Sequence, residues 1–121
     1  MDLSRLELLA GEEALAGMRG ASFLLCGLGG VGSWAAEALA RCGAGHLTLV
    51  DFDCIQPSNL NRQLPALATT IGEPKAEILA RRLKAINPDI QVTVHKTRLA
   101  PDNIPAYLEM KAWTGVLDAI D

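Results

Sequence analysis

The sequence predicts an α/β fold, a doubly wound sheet of parallel strands with helices on its faces, and three observations carry that expectation. Short apolar runs alternate with amphipathic segments, a glycine-rich turn joins the first run to a helical segment, and an aspartate closes the second run. The chain has 121 residues, 50% of them hydrophobic, enough for one domain that buries roughly two-thirds of its unfolded surface. Two Trp, two Phe and one Tyr leave the core to Leu, Ala, Val and Ile.

Residues 1–20 read as an N-terminal helical segment and 21–121 as the α/β domain. In the first, Leu3, Leu6, Leu9, Leu15 and Met18 suit one or two short amphipathic helices, with Gly11, Gly17 and Gly20 weakening their continuity. Ala21–Cys26 then reads as a buried parallel strand. From Val31 the period becomes helical, with Trp34, Ala35, Ala38, Leu39 and Cys42 expected on one apolar face. Gly43-Ala44-Gly45 leads into a second strand, His46–Val50. A polar stretch from Asp53 to Gln63 follows, and Leu64–Ile71 suggests a short helix after Pro65. Pro74 suits the first turn of a helix carrying Ala76, Leu79, Ala80, Leu83 and Ile86 inward, with Glu77 and Arg81 as an i,i+4 pair.

Asn87-Pro88-Asp89 stops that helix. Ile90, Val92 and Val94 alternate with Gln91, Thr93 and His95, as in a half-covered strand near a sheet edge. Asp102 or Asn103 caps a short helix running to Met110, and Gly115–Asp121 reads as the last strand. Right-handed crossovers give the order 3-2-1-4. A doubly wound domain normally continues past a fourth strand, so the sequence reads as one flank short.

Gly27-Leu28-Gly29-Gly30-Val31-Gly32 sits between the first strand and its helix. Side chains at Gly27 and Gly29 would obstruct the turn and the close approach of a pyrophosphate, while Gly32 lets the helix lie near the strand. The unpaired N–H groups of the helix start then face an anion. Asp51 falls about 20 residues past this loop, where a carboxylate accepts hydrogen bonds from a ribose in Rossmann-like domains. Together they point to an adenosine-type nucleotide.

Composition narrows the alternatives. A net charge of −3 argues against a broad nucleic-acid footprint without excluding a local basic site. Three cysteines without a CxxC suit a reduced, cytoplasmic protein better than a disulfide framework or zinc site. Cys26 and Cys42 read as core residues, and Cys54 as a loop thiol with no neighbouring histidine. The uncharged stretch 20–36 is too short and too rich in glycine for a convincing membrane span, and the N-terminus, interrupted by acidic Asp2, Glu7, Glu12 and Glu13, does not look like a signal peptide.

An NAD-dependent oxidoreductase would also satisfy the glycines and Asp51. It would not account for Asn59, Arg62, Gln63 and Lys75, which supply cationic and amide donors near the carboxyl ends of the strands. Arg pairs two phosphate oxygens and Lys acts as a compact charge, so the set suits a triphosphate whose α-phosphate is attacked by an acid as pyrophosphate leaves. Read blandly, Arg62 and Lys75 are solvated surface charges. Asp121 is better placed than Asp118 to bind Mg2+ directly or through water.

With these residues in view, the chain resembles a known superfamily. The glycine loop, Asp51-Phe52-Asp53, Ser58-Asn59-Leu60-Asn61-Arg62-Gln63, Lys75 and Asp118-Ala119-Ile120-Asp121 look like the adenylation domain of ubiquitin-activating enzymes and sulfur-carrier adenylyltransferases. Arg5–Leu15 and Gly32–Arg41 look most like the tRNA threonylcarbamoyladenosine dehydratases.

The resemblance implies ATP-dependent activation of the threonylcarbamoyl carboxylate on a tRNA adenosine, then closure to the cyclic form with release of AMP. It implies further that Gly27, Gly29, Gly30 and Gly32 hold phosphates, Asp51 and Asp53 serve the nucleotide, and Asn59, Arg62 and Lys75 hold the triphosphate and adenylate, with Asp121 near Mg2+. Arg5 matches an arginine that reaches the partner subunit's ATP, which implies a homodimer. A ubiquitin-like sulfur carrier is the alternative substrate, and a cysteine desulfurase or sulfur-acceptor partner fits the same family. The family's acceptor-binding half falls after Asp121, so a non-catalytic nucleotide-binding fragment is the remaining alternative for these residues alone.

Overall fold

A computed structural model describes residues 1–121, with ten elements in chain order. Two short helices, α1 (Ser4–Ala10) and α2 (Glu12–Arg19), precede strand β1 (Ser22–Cys26), and α3 (Gly32–Arg41) links it to β2 (His46–Val50). Helix α4 (Lys75–Ile86), strand β3 (Gln91–His95), helix α5 (Ile104–Glu109) and strand β4 (Gly115–Asp118) complete the order, with a 3-10 turn at Pro57–Asn59. All strand pairs are parallel and the order is β3-β2-β1-β4, as expected. The edge position of β3 accounts for its alternating polarity.

One face of the sheet meets α3 and α4. Leu25, Leu47 and Leu49 of the strands pack there with Ala36, Ala40, Leu79 and Leu83 of the helices. On the opposite face Leu24, Cys26 and Val50 meet Tyr107 of α5, flanked by Leu99 and Trp113. Both central strands are therefore covered on both sides, which explains their unbroken apolar runs. No helix is long and apolar enough to cross a membrane.

Helix α3 does not bury the expected face. Trp34 is 54% exposed and Ala38 is also exposed, whereas Ser33, Ala36, Glu37 and Ala40 are turned inward. The reason is an ion-pair bridge between helices. Glu37 Oε1 meets Arg41 at 3.0 Å and Arg82 of α4 at 2.9 Å, so a buried carboxylate occupies a position that the apolar pattern assigns to solvent. Glu37→Gln is expected to lower unfolding free energy by about 1–2 kcal/mol, because the half-exposed arginines regain water when their partner is lost. Urea unfolding checks this, and a shift below about 0.3 kcal/mol would show the bridge to be energetically idle.

Three further local expectations change. Residues 64–71 form turns rather than a helix, because the Thr70 hydroxyl accepts from Leu67 N–H and donates to the Pro65 carbonyl, an alternative to helical pairing. Glu77 pairs with Lys96 at 2.6 Å instead of with Arg81. Asn103 occupies the cap position of α5, but its amide ties the preceding loop by accepting from Ala100 N–H and donating to the Arg98 carbonyl.

Candidate functional site

The carboxyl ends of all four strands open onto one cavity of about 290 Å³. Gly27 to Gly29 come from the end of β1, Asp51 to Asp53 from β2, Thr97 to Leu99 from beyond β3, and Ala119 to Asp121 from beyond β4. Ligands bind at this edge of open parallel sheets, where the helix after the first strand also directs its free N–H groups.

Gly27 has φ +91°, and a Cβ there would lie 2.6 Å from the Ala119 carbonyl oxygen, so only glycine fits the turn. A Cβ on Gly29 would meet only the tip of Gln63 at 3.5 Å, which leaves the cavity side of the loop open to a ligand. Gly30 lies beneath the Arg62 side chain, with Cγ 3.3 Å from its Cβ position. Gly32 brings the first turn of α3 against Gly27, as its role in close approach requires.

Asp51 is more than a strand end. One carboxylate oxygen accepts from Leu28 N–H and the other from Asp53 N–H, both at 2.8 Å. The carboxylate thus ties the glycine loop to the second strand, and each oxygen keeps a lone pair that can accept a ribose hydroxyl. Lys75 begins α4 and is buried, its Nζ 3.6 Å from Asp53 Oδ2. Both residues line the cavity, which also receives Asp121.

Other expected residues stand apart from the cavity wall. Asn59 is buried and accepts from Gln56 N–H at 2.8 Å, completing a reciprocal cap on the 3-10 turn. The Arg62 guanidinium is exposed and donates to the Ser58 carbonyl and to Asn61 Oδ1, both at 2.9 Å. Arg5 lies on α1, whose lead-in residue Leu3 contacts Gly43 near the amino ends of the strands, so Arg5 is not at this chain's own cavity.

The carboxylates here do not assemble a metal cage of three or more ligating side chains. Asp51 is engaged with backbone and Asp53 with Lys75, which leaves Asp121 as the carboxylate best suited to a cation carried by phosphates. Of the thiols, Cys26 is pushed up in pKa by burial and by the neighbouring Asp118, which keeps it protonated and inert.

Phe52, Thr97, Arg98 and Leu99 line the cavity without having been expected there, and the Arg98 guanidinium stacks 5.0 Å from the Phe52 ring centroid. Their signal was positional only, since they follow strand ends. Gln63, counted in the sequence among the polar donors suited to a triphosphate, also lines the cavity.

The arrangement has close counterparts. The tRNA threonylcarbamoyladenosine dehydratase of Escherichia coli is 47% identical over 113 residues, covering 93% of this chain and 42% of that protein. The molybdopterin-synthase adenylyltransferase of Salmonella typhimurium is 45% identical over 76% of this chain and 36% of its own length. The crystal structure of the E. coli tRNA N6-threonylcarbamoyladenosine dehydratase in complex with ATP superposes with a TM-score of 0.95 at 44% identity, covering 98% of this chain and 49% of that one. This chain therefore spans less than half the length of these relatives. The ThiF family matches residues 3–121, and the chain belongs to that family.

Proposed function

We propose that this chain is the nucleotide-binding part of an enzyme that activates a carboxylate with ATP, most specifically the threonylcarbamoyl carboxylate of a modified tRNA adenosine. The observation that carries this reading is one cavity in which a glycine loop, a ribose-type carboxylate, a buried lysine and a free aspartate meet at the carboxyl ends of parallel strands. In this reading the loop amides hold phosphates, Asp51 takes the ribose, and Lys75 stabilises charge as the carboxylate attacks the α-phosphate and pyrophosphate leaves. Mg2+ would be held by Asp121 together with the phosphates, and it supplies charge neutralisation on the triphosphate. An atom of the substrate's own carbamoyl group then attacks the acyl carbon of the adenylate, closing a five-membered ring as AMP leaves.

Full-length protein incubated with threonylcarbamoyladenosine-modified tRNA and ATP–Mg2+ tests the proposal by nucleoside analysis. Conversion to the cyclic nucleoside with AMP release is expected; an unchanged nucleoside would sink the dehydratase reading. Similarity to the Salmonella adenylyltransferase supports a second reading, adenylation of a ubiquitin-like sulfur carrier, which would appear as carrier-dependent pyrophosphate exchange. Parallel titration with ATP and NAD separates both from a dehydrogenase.

A homodimer also belongs to this proposal, in the compartment where tRNA is modified, the cytoplasm. Its support is the placement of Arg5 away from its own cavity, on a helix with no buried residue and with Leu8 and Leu9 more than four-fifths exposed. For Arg62→Ala, turnover is expected to fall at least about tenfold while the melting temperature moves by less than about 2 °C, since the guanidinium is exposed and holds only its own loop. Unchanged turnover would remove Arg62 from the reacting site.

A further inference from the structure

We infer that Trp34 is a positioning residue, which fixes where Arg62 stands against the glycine loop; this rests on the reading above that Arg62 belongs to the reacting site. Trp34 lies in the first turn of α3, where the helical period assigns it to the apolar core, yet it is 54% exposed. Burial does not account for an indole at this place. Its polar atom does: Nε1 donates at 2.9 Å to the Arg62 carbonyl, 28 residues further along the chain. The other tryptophan, Trp113, shows the ordinary arrangement, packed against the apolar cluster of Leu24 and Tyr107 with its Nε1 on the Tyr107 carbonyl, six residues away.

Arg62 is held along its whole length. Its Cγ and Cδ lie 3.3 and 3.5 Å from the Cβ position of Gly30, so the stem runs over the glycine loop. Nη1 donates to the Ser58 carbonyl and to Asn61 Oδ1, while the edge formed by Nε and Nη2 donates to no group of the protein. That edge presents two parallel N–H bonds, the geometry suited to a pair of phosphate oxygens. A side chain this long amplifies any rotation of its own peptide, and the contact that restrains that peptide is the Trp34 indole.

Two consecutive residues of α3 tie this segment down, and they act from opposite sides. Ser33, fully buried, accepts from Leu64 N–H at 3.2 Å and donates to the Gly29 carbonyl, so it belongs to the interior of the loop. Trp34 grips the segment from its exposed side. Without the indole N–H, the Arg62 carbonyl is hydrated at little cost to the fold, but the arginine loses its outer restraint against Gly30. Misplacing a charge-stabilising group acts on rate far more than on stability.

Single and paired substitutions in the full-length protein test the inference: Trp34→Phe, which keeps an aromatic ring and removes the donor, Arg62→Ala, and both together. Trp34→Phe is expected to lower kcat for ATP–pyrophosphate exchange about tenfold, with KM for ATP within about threefold and the melting temperature within about 2 °C of the parent. Added to Arg62→Ala, it should lower kcat by less than about twofold more, because the group it positions is already gone. A full tenfold further loss in the Arg62→Ala background would overturn the inference, since Trp34 would then act through some other group. Unchanged kcat, an effect on KM alone, or a melting temperature lowered by more than about 5 °C would also overturn it, leaving the indole a surface or structural group. If Arg62→Ala by itself leaves turnover unchanged, the reading of Arg62 fails first and this inference with it.

Discussion

Lys75→Met is expected to cut ATP–pyrophosphate exchange by the full-length protein about 100- to 1,000-fold while leaving the fold nearly unchanged. Lys75 is the buried cation of the cavity, and its Nζ stands 3.6 Å from Asp53, close enough for attraction but too far for a tight hydrogen bond. Its N–H donors are thus available to an incoming phosphate. Because Lys75 is itself buried at the cavity wall, its ammonium acts on developing negative charge with less screening than a surface lysine would, and neither arginine near the cavity is placed to replace it. Arg98 is exposed and stacked on Phe52, and Arg62 is held by Ser58 and Asn61.

The structural cost of the substitution is small for an identifiable reason. Methionine retains a flexible apolar stem of similar length, and Asp53, whose side chain is 48% exposed, recovers hydration when the ammonium is removed. Urea unfolding should therefore shift by less than about 1 kcal/mol, which separates lost chemistry from lost structure. Exchange reduced only two- to threefold would mean that Lys75 is a structural partner of Asp53 and that the charge is stabilised elsewhere. A loss confined to a higher KM for ATP would place Lys75 in ground-state binding alone.

The division between what the sequence disclosed and what it hid follows the range of the interactions involved. Strand β2 at His46–Val50, the glycine turn and the aspartate after it are written in neighbouring residues, so their places were legible, and the strand order followed from alternation and crossover handedness. The inward face of α3 was not legible, because Glu37 looks solvent-facing until Arg82, far along the chain, is brought beside it. Asn59 carries a service that the polar stretch did not disclose: its side-chain oxygen caps the 3-10 turn, a contact set by the turn's backbone rather than by any motif. Thr97, Arg98 and Leu99 carry no motif, and only the convergence of strand ends brings them to the cavity.

Gly32→Ala should be the most damaging single methyl group in the chain's phosphate loop, lowering unfolding free energy by about 3–5 kcal/mol. The added Cβ would stand 1.8 Å from the Gly27 carbonyl oxygen, 2.9 Å from its carbon and 3.3 Å from Ala119 Cβ. Two of these are backbone atoms with no rotamer to change, so the start of α3 would have to move away from β1. That movement pulls on the Ser33 contacts to Gly29 and Leu64, and therefore on the loop that faces the ligand. Helix propensity opposes the clash but is far weaker, since exchanging glycine for alanine inside a helix gains only about 1 kcal/mol. Gly17→Ala isolates that smaller term: nothing lies within 4 Å of its Cβ position in α2, so stability should rise by about 0.5–1 kcal/mol. Urea unfolding of both variants sets steric exclusion against backbone entropy in one molecule. If Gly32→Ala unfolds within 1 kcal/mol of the parent chain, the helix start can retreat freely, and the glycine at this position is required by the ligand rather than by the fold.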